Sequence, residues 1–568
     1  MDSWWATPSS SSLRPTPPAV HAGNASNPVA TAFRQLNKPV GFHVAFNACR
    51  SKLHVAVDMR RLTSTHGRSV QIQLSPYHGR PDFSVIETAS PPGKLDLVSV
   101  ADILRNAFVY PPHSILDNVK LVSFGFDAAQ DMRAEPEFRF AFRDAGKRDE
   151  TDAPDAGLVQ TYHRLLCDAV GRSTADMKSP WVLQSGGKDS TTLAIAMAEV
   201  RPDATCMTYL GGREENELES ASMIAGKLGL RHESLVCDPG RCYDRYLAVM
   251  DRMPLLTADF ALLSYIDLAT EIGIRGGDGI VDGLGSDVYF GMPSPAQKRI
   301  LTWLAKDGRW PRHLVELPVI GDNFQLCFLL GTLQMNARER HFPGSRFSDD
   351  EVNELMGRDI ASASRERLAP FESELSSATS ADELRGMMVC IAEAAAGFAK
   401  GLYTGDALSL PIAYPFCDQR LHEWVTREVP RGRQMDAAAK KNKLLVREHI
   451  DTYFGDLPYV REKKGSFRFD LIGLARERFD QVHAFADDAR DIMPGATAWL
   501  ERNRRRMDNK FHASRFYLLA VVLPWITKPE VKPESVANGK RTDRDSPIEI
   551  QHVLQGRSQP TIAAARNV

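Results

Sequence analysis

Apolar positions along the chain fall into two regimes. Between about residues 31 and 150 they alternate in short runs. Residues 43–46 and 53–57 read as the arms of a hairpin, and 121–126 and 138–142 as further strands. One amphipathic helix, over 95–107, interrupts them. From about 155 the spacing changes. Helical stretches over 161–170, 191–198 and 220–228 alternate with short continuous apolar runs at 181–184, 205–210 and 232–236. That alternation predicts strands buried on both faces of a parallel sheet. A fourth strand-and-turn follows from Gly279 to Asp287, and beyond about 300 the chain is mostly helical. Asp144 to Asp155 is charged and turn-rich, a linker.

Composition narrows the class. A chain of 568 residues is too long for one ordinary core, so two domains are expected. The first 30 residues, rich in Ser, Pro and Ala with Trp4 and Trp5, read as a tail, and so does the charged, Pro-rich stretch from 529. A formal net charge of -2 gives no case for a nucleic-acid or membrane partner. The longest apolar run, 516–526, is too short for a bilayer, and no secretion signal opens the chain. Eight scattered cysteines with no Cys-x-x-Cys pair argue against structural zinc and against disulfides. Reduced, cytoplasmic thiols are the simplest expectation.

The candidate chemistry centres on Ser185-Gly186-Gly187-Lys188-Asp189-Ser190, set between an expected strand and an expected helix. Two glycines allow close backbone approach to an oxyanion, and the helix N-terminus that follows favours phosphate. A Walker loop is excluded, because Lys188 is followed by Asp189 and Val182 stands where its first glycine is required. Asp189 would repel phosphate unless a cation lay between them, so the pattern asks for ATP with Mg²⁺. Asp287 either completes that metal shell or caps a helix. Glu214, Glu215 and Glu217 either face the loop or simply favour their own helix N-terminus. Lys463, beside Gly465, can reach a phosphate or sit on a solvated surface. The basic run 502–510 reads as a solvated face.

The hexapeptide resembles the loop of ATP pyrophosphatases. Further blocks resemble the asparagine synthetase family, in order. These are Thr208-Tyr209 with Glu217, Ala221 and Leu228-Gly229; Asp282 to Gly291; Pro415-Phe416-Cys417-Asp418; Lys443-Leu444-Leu445-Val446-Arg447; and Arg461-x-Lys463-x-Gly465. Weaker likeness reaches Asn106 to Tyr110 and Leu116 to Val122. The resemblance implies an α/β fold: a parallel-sheet PP-loop (adenine nucleotide hydrolase-like) synthetase domain over 155–528 with a helical C-terminal part. A smaller α+β domain over 31–150, resembling a degenerate class II glutaminase (Ntn-like) domain, would precede it. It implies Asp189 and Asp287 as magnesium ligands on pyrophosphate. Ser185, Gly186, Gly187 and Ser190 would cradle phosphates, with Lys188 adding a contact. Val182, Leu183, Met207, Asp282 and Gly283 would line the nucleotide site. Arg461 and Lys463 would be catalytic, Lys463 neutralising transition-state charge. The implied reaction activates a carboxylate as an acyl-adenylate, releases pyrophosphate and forms an amide.

Departures choose within the family. Asp2 stands where glutamine-dependent members have a nucleophilic Cys, so no glutaminase activity is expected. Leu284 replaces an ionisable residue and cannot take a proton from an amine. Pro411 and Ala413 replace polar residues before Pro415, which argues against aspartate as substrate. The amide-closing branch fits these changes: lasso-peptide macrolactam cyclases and β-lactam-type synthetases. The implied partners are a precursor peptide, a processing protease and a leader-binding protein. The alternatives are an amide synthetase using ammonia or a small amine, and a tRNA-modifying PP-loop enzyme, which the near-neutral charge disfavours.

Overall fold

The computed structural model describes residues 62–63, 69–74, 94–117, 119–122, 126–129, 137–140, 157–211, 215–286, 335, 339, 347–377, 392, 394–430, 433, 435–436, 441–455 and 469–528. The expected hairpin over 43–57, both terminal segments, and Asp287, Arg461 and Lys463 lie outside the described residues.

Five short strands come first. Leu62–Thr63 (β1) pairs antiparallel with Ser69–Leu74 (β2), which runs parallel to Val119–Val122 (β3). Phe126–Ala129 (β4) and Glu137–Phe140 (β5) form a separate antiparallel ladder. The strand expected over 121–126 is described only at its two ends, in β3 and at the start of β4; residues 123–125 lie outside the described residues. The helix expected over 95–107 is Leu97–Asn106 (α1). Asp96 caps it by accepting from the Val98 amide at 3.0 Å, and Ala107 ends it in the left-handed region.

Helix α1 packs against segments that follow the parallel sheet in the chain as well as against the sheet's own helices. Val100, Ile103 and Leu104 join the same core as the C-terminal helices. The Ala258 amide donates to the Ala107 carbonyl at 3.0 Å, and the Phe347 amide to the Leu104 carbonyl at 3.1 Å. Arg105, fully buried, lies 2.6 Å from the Glu339 carboxylate and 3.0 Å from that of Asp349. A buried cation is tolerated only when paired in this way.

The chain then builds a five-stranded parallel sheet. Helix α2 (Leu158–Ser173) leads into Pro180–Leu183 (β6), followed by α3 (Lys188–Val200), Thr205–Leu210 (β7), α4 (Glu215–Lys227), Arg231–Val236 (β8), α5 (Pro239–Val249), α6 (Leu262–Ile274) and Gly279–Val281 (β9). Ile412–Ala413 (β10) completes the sheet in the order β10-β9-β6-β7-β8. These elements follow the expected pattern closely. Trp181, Val182, Cys206, Ile280 and Val281 are buried, as strands covered by helices on both faces require. The strand order reverses between β6 and β9. Ligands of open α/β sheets bind at such a switch point, outside the carboxyl ends of the strands.

Five further helices bear on the site and core: Ala399–Leu408 (α7), Gln419–Glu428 (α8), Leu444–Tyr453 (α9), Leu471–Asp488 (α10) and Lys510–Ile526 (α11). Every residue from Phe511 to Ile526 is buried, so the long apolar run is a core helix. Pro524 within it has no amide hydrogen to give the Ala520 carbonyl. The Tyr243 hydroxyl donates to that carbonyl instead, at 3.1 Å. Among the described residues, no helix is long and apolar enough to cross a membrane. Arg504, Arg505 and Arg506 are exposed, as read from the sequence.

Candidate active site

The loop after β6 is built by its own side chains. Gly186 has φ +65°, a left-handed conformation that costs other residues roughly 1–2 kcal/mol. A Cβ there would also come within 3.2 Å of the Ser220 Cβ, because the loop lies against α4. The Gln184 side-chain oxygen turns back to accept from the Gly186 amide at 3.1 Å. The Thr208 hydroxyl, on the neighbouring β7, donates to the Gln184 carbonyl at 2.7 Å.

Helix α3 starts immediately after the glycines, with Gly187 extended as its N-cap. The Ser190 and Thr191 hydroxyls donate to the Gly187 carbonyl at 3.0 and 2.8 Å, which sets the angle at which the loop enters the helix. Ser185 lies across the turn, its hydroxyl 3.2 Å from that of Ser190. Ser185, Gly186, Gly187, Lys188, Asp189 and Ser190 therefore occupy one strand-to-helix turn. Leu183, at the end of β6, is in register with Met207 on β7.

Asp189 is the junction of three segments. It lies in the first turn of α3, where the helix dipole favours a negative charge. The Ser286 hydroxyl, just beyond β9, donates to its Oδ1 at 2.8 Å. The Lys443 ammonium reaches its Oδ2 at 2.6 Å from the residue that opens α9. Lys443 is almost wholly buried and adopts φ +55°, strained for a residue with a Cβ. The Lys443 contact was not read from the sequence as part of the site, although its block was; nor was Ser286.

Beyond β9 the chain turns at Asp282 and Gly283. The Asp282 carboxylate accepts from the Tyr265 hydroxyl at 3.1 Å and from the Leu284 amide at 3.0 Å. Burial pushes its pKa above the ordinary carboxylate value, while the nearby Lys400 charge works against that rise. Lys400 itself lies 3.6 Å from Asp259. Gly283 faces the first turn of α3: a Cβ there would meet the Asp189 carbonyl at 3.8 Å, an ordinary contact. Gly285, at φ +106°, leaves room for Cys417, whose sulfur a Cβ would approach to 3.1 Å. Asp418 then caps α8 through the Arg420 and Leu421 amides and pairs with Arg172 at 2.8 Å. Its role is to hold the Pro415–Cys417 turn against the site.

A buried chain of polar groups braces α3 from behind. The Thr192 hydroxyl is 2.6 Å from His449 Nδ1 on α9, and His449 Nε2 is 2.9 Å from His163 Nδ1 on α2. Burial, reinforced by His163, pulls the His449 pKa down to about 3, so this imidazole is neutral. The helices that present Asp189 and Lys443 are thus joined again further along, one turn past Asp189 and nearly two past Lys443.

A Gly-Gly turn and a helix N-terminus at the switch point of a parallel sheet make this an α/β fold of the PP-loop kind. The Asparagine synthase family model matches residues 161–491, over half of the chain, and the protein belongs to that family. Similar solved structures include an NH3-dependent NAD synthetase from Campylobacter jejuni, at 14% identity over 22% of this chain and 55% of that one, with a TM-score of 0.17. The chain thus spans about half of that enzyme. An NMN synthetase from Francisella tularensis matches at 12% identity over 41% of this chain and 92% of its own, with a TM-score of 0.18. No curated protein matches the sequence.

Proposed function

We propose that the crevice between β6 and β9 binds ATP and activates a carboxylate as its acyl-adenylate, releasing pyrophosphate, before an amine closes the amide. The observation that carries this reading is the meeting of Asp189, Ser286 and Lys443 at the switch point. The amides at the start of α3 would hold the phosphates, and the ends of β6, β7 and β9 would flank the nucleotide. Asp189 is a hard oxygen donor with its side chain 27% exposed, which suits Mg²⁺. The metal would supply charge neutralisation on the phosphates. Lys443, released from Asp189 as that carboxylate turned to the metal, would place its charge on the departing pyrophosphate. Asp287, Arg461 and Lys463 belong to the same proposal by family likeness.

The substrate proposed is a peptide whose own N-terminal amine attacks an activated Asp or Glu side chain, giving a lasso-type macrolactam. A leader-binding protein and a protease would deliver that peptide, and glutamine would not be hydrolysed. Leu284, partly buried against the core, supports a reaction in which the enzyme supplies no base at that position. The test is co-expression with the precursor peptide encoded nearby, followed by mass spectrometry and pyrophosphate release. Loss of one water from the peptide, with pyrophosphate formed only in its presence, supports the cyclase. Pyrophosphate release with small acids and ammonia alone would replace it with a small-molecule amide synthetase.

A further inference from the structure

Away from the switch point, α2 and α3 bring three metal-binding side chains together. His163 and Cys167 are four apart on α2, so they share one face of the helix. Glu199 joins them from the last turn of α3. His163 Nε2 is 2.8 Å from Glu199 Oε2 and 3.6 Å from Cys167 Sγ. All three donor atoms lie within 4.8 Å of one another.

We propose that His163, Cys167 and Glu199 form a zinc site, with water as the fourth ligand. Zinc bonds of about 2.0–2.3 Å in a tetrahedron put donors roughly 3.3–3.8 Å apart. The nitrogen-to-sulfur distance already has that value, and the nitrogen-to-oxygen distance needs to open by about half an ångström. Glu199 can make that adjustment, because its side chain is 60% exposed. Mixed nitrogen, sulfur and oxygen donors suit zinc and cobalt rather than calcium or magnesium.

The groups behind the site fit the same assignment. A metal-bound histidine needs its second ring nitrogen to donate a hydrogen bond. Here His163 Nδ1 lies 2.9 Å from His449 Nε2, and His449 Nδ1 lies 2.6 Å from the Thr192 hydroxyl. With the metal on Nε2, His163 donates to His449 and His449 donates to Thr192. Each imidazole keeps one proton and changes only its tautomer. One proton, from the Cys167 thiol, leaves for solvent as the sulfur–metal bond forms. The Tyr453 ring stacks on His163, with centroids 3.8 Å apart and planes 13° apart, and holds the imidazole in position.

Such a metal would tie α2 to α3 and, through the contact of His163 with His449, hold α9 beside them; α3 carries Asp189 and α9 opens at Lys443, so its role would be to brace the proposed nucleotide site. The motif escapes a scan for Cys-x-x-Cys pairs because it spaces His and Cys at one helical turn and draws its third ligand from another helix.

The test uses the full chain stripped of metal with EDTA. Titration with Co²⁺ is expected to give a thiolate-to-metal charge-transfer band and the strong visible absorption of a four-coordinate ion, at one Co²⁺ per chain, displaced by Zn²⁺. Cys167→Ser should abolish the band. Glu199→Gln, a change at an exposed side chain that spares the fold, should weaken Zn²⁺ binding about tenfold or more. A wild-type spectrum without the charge-transfer band, or a band that persists in Cys167→Ser, overturns the assignment. Should Cys167→Ser fail to fold, the wild-type spectrum and Zn²⁺ binding by Glu199→Gln decide the matter.

Discussion

The Lys443 ammonium lies 2.6 Å from Asp189 Oδ2, although 254 residues separate the two in the chain. The pair joins the phosphate-loop helix to the start of α9 at the mouth of the switch-point crevice. It puts a positive charge and a hard oxygen donor where, in the function proposed above, a nucleotide's phosphates would lie.

Replacing Lys443 tests its part in phosphate binding. Lys443→Gln keeps a polar group at a nearly buried position but removes the charge. Its affinity for Mg·ATP should fall roughly ten- to hundredfold, the loss expected for one charge-assisted hydrogen bond of roughly 1.5–3 kcal/mol. Equilibrium dialysis with labelled ATP reads this directly. Unchanged affinity would confine Lys443 to a structural role.

Two glycines of the site should respond differently to alanine. Gly186→Ala meets both a left-handed backbone and a Cβ 3.2 Å from Ser220, so it should lower the thermal midpoint and abolish ATP binding. Gly283→Ala adds a methyl group at ordinary contact distances, 3.7 Å or more, and should leave the midpoint unchanged. Thermal unfolding of the two variants in parallel checks the contrast.

Asp282 gives a pH-dependent stability with a definite sign. Its folded pKa is raised above the unfolded value, so the charged form is the disfavoured one. Its contribution to stability is fully present below the unfolded pKa, near the ordinary Asp value of 3.8, and is lost as pH rises through the folded pKa. Asp282→Asn removes the charge while its oxygen can still accept from Leu284. It should raise the thermal midpoint at pH 7, and the difference should shrink as pH falls toward 4. A variant less stable than wild type at pH 7 contradicts this.

Arg105 tests whether α1 belongs to the ligase core. Arg105→Met leaves Glu339 buried beside the Tyr110 hydroxyl, its partner at 2.8 Å, without the guanidinium. Removing one member of a buried pair costs about 3–5 kcal/mol. Urea denaturation followed by tryptophan fluorescence should show a loss of that size in the main transition, to which Trp181, Trp499 and Trp525 report. A separate early transition would mean that α1 unfolds independently.

Local features of this protein were legible in its sequence. The strand, Gly-Gly turn and helix from Trp181 to Ala198 depend on neighbours in the chain, and β7, α4 and β8 follow the same periodicity. Contacts between distant segments were not legible. Nothing near Lys443 points to Asp189, and Asp418, part of a family block, is occupied as a helix cap and as a partner of Arg172. The helix near Leu97 was recognisable from its amphipathic spacing. Its burial in the ligase core follows from Arg105 pairing with residues more than two hundred positions away.

Binding of an ATP analogue that cannot break between its α- and β-phosphates, measured by calorimetry with and without Mg²⁺, needs no knowledge of the acid or amine. A nucleotide site built on Asp189 requires saturable, Mg²⁺-dependent binding of one analogue per wild-type chain, and its loss in Asp189→Asn protein that circular dichroism shows to be folded. Wild-type protein that binds no analogue, or Asp189→Asn protein that binds it equally well, would contradict a nucleotide site at this crevice.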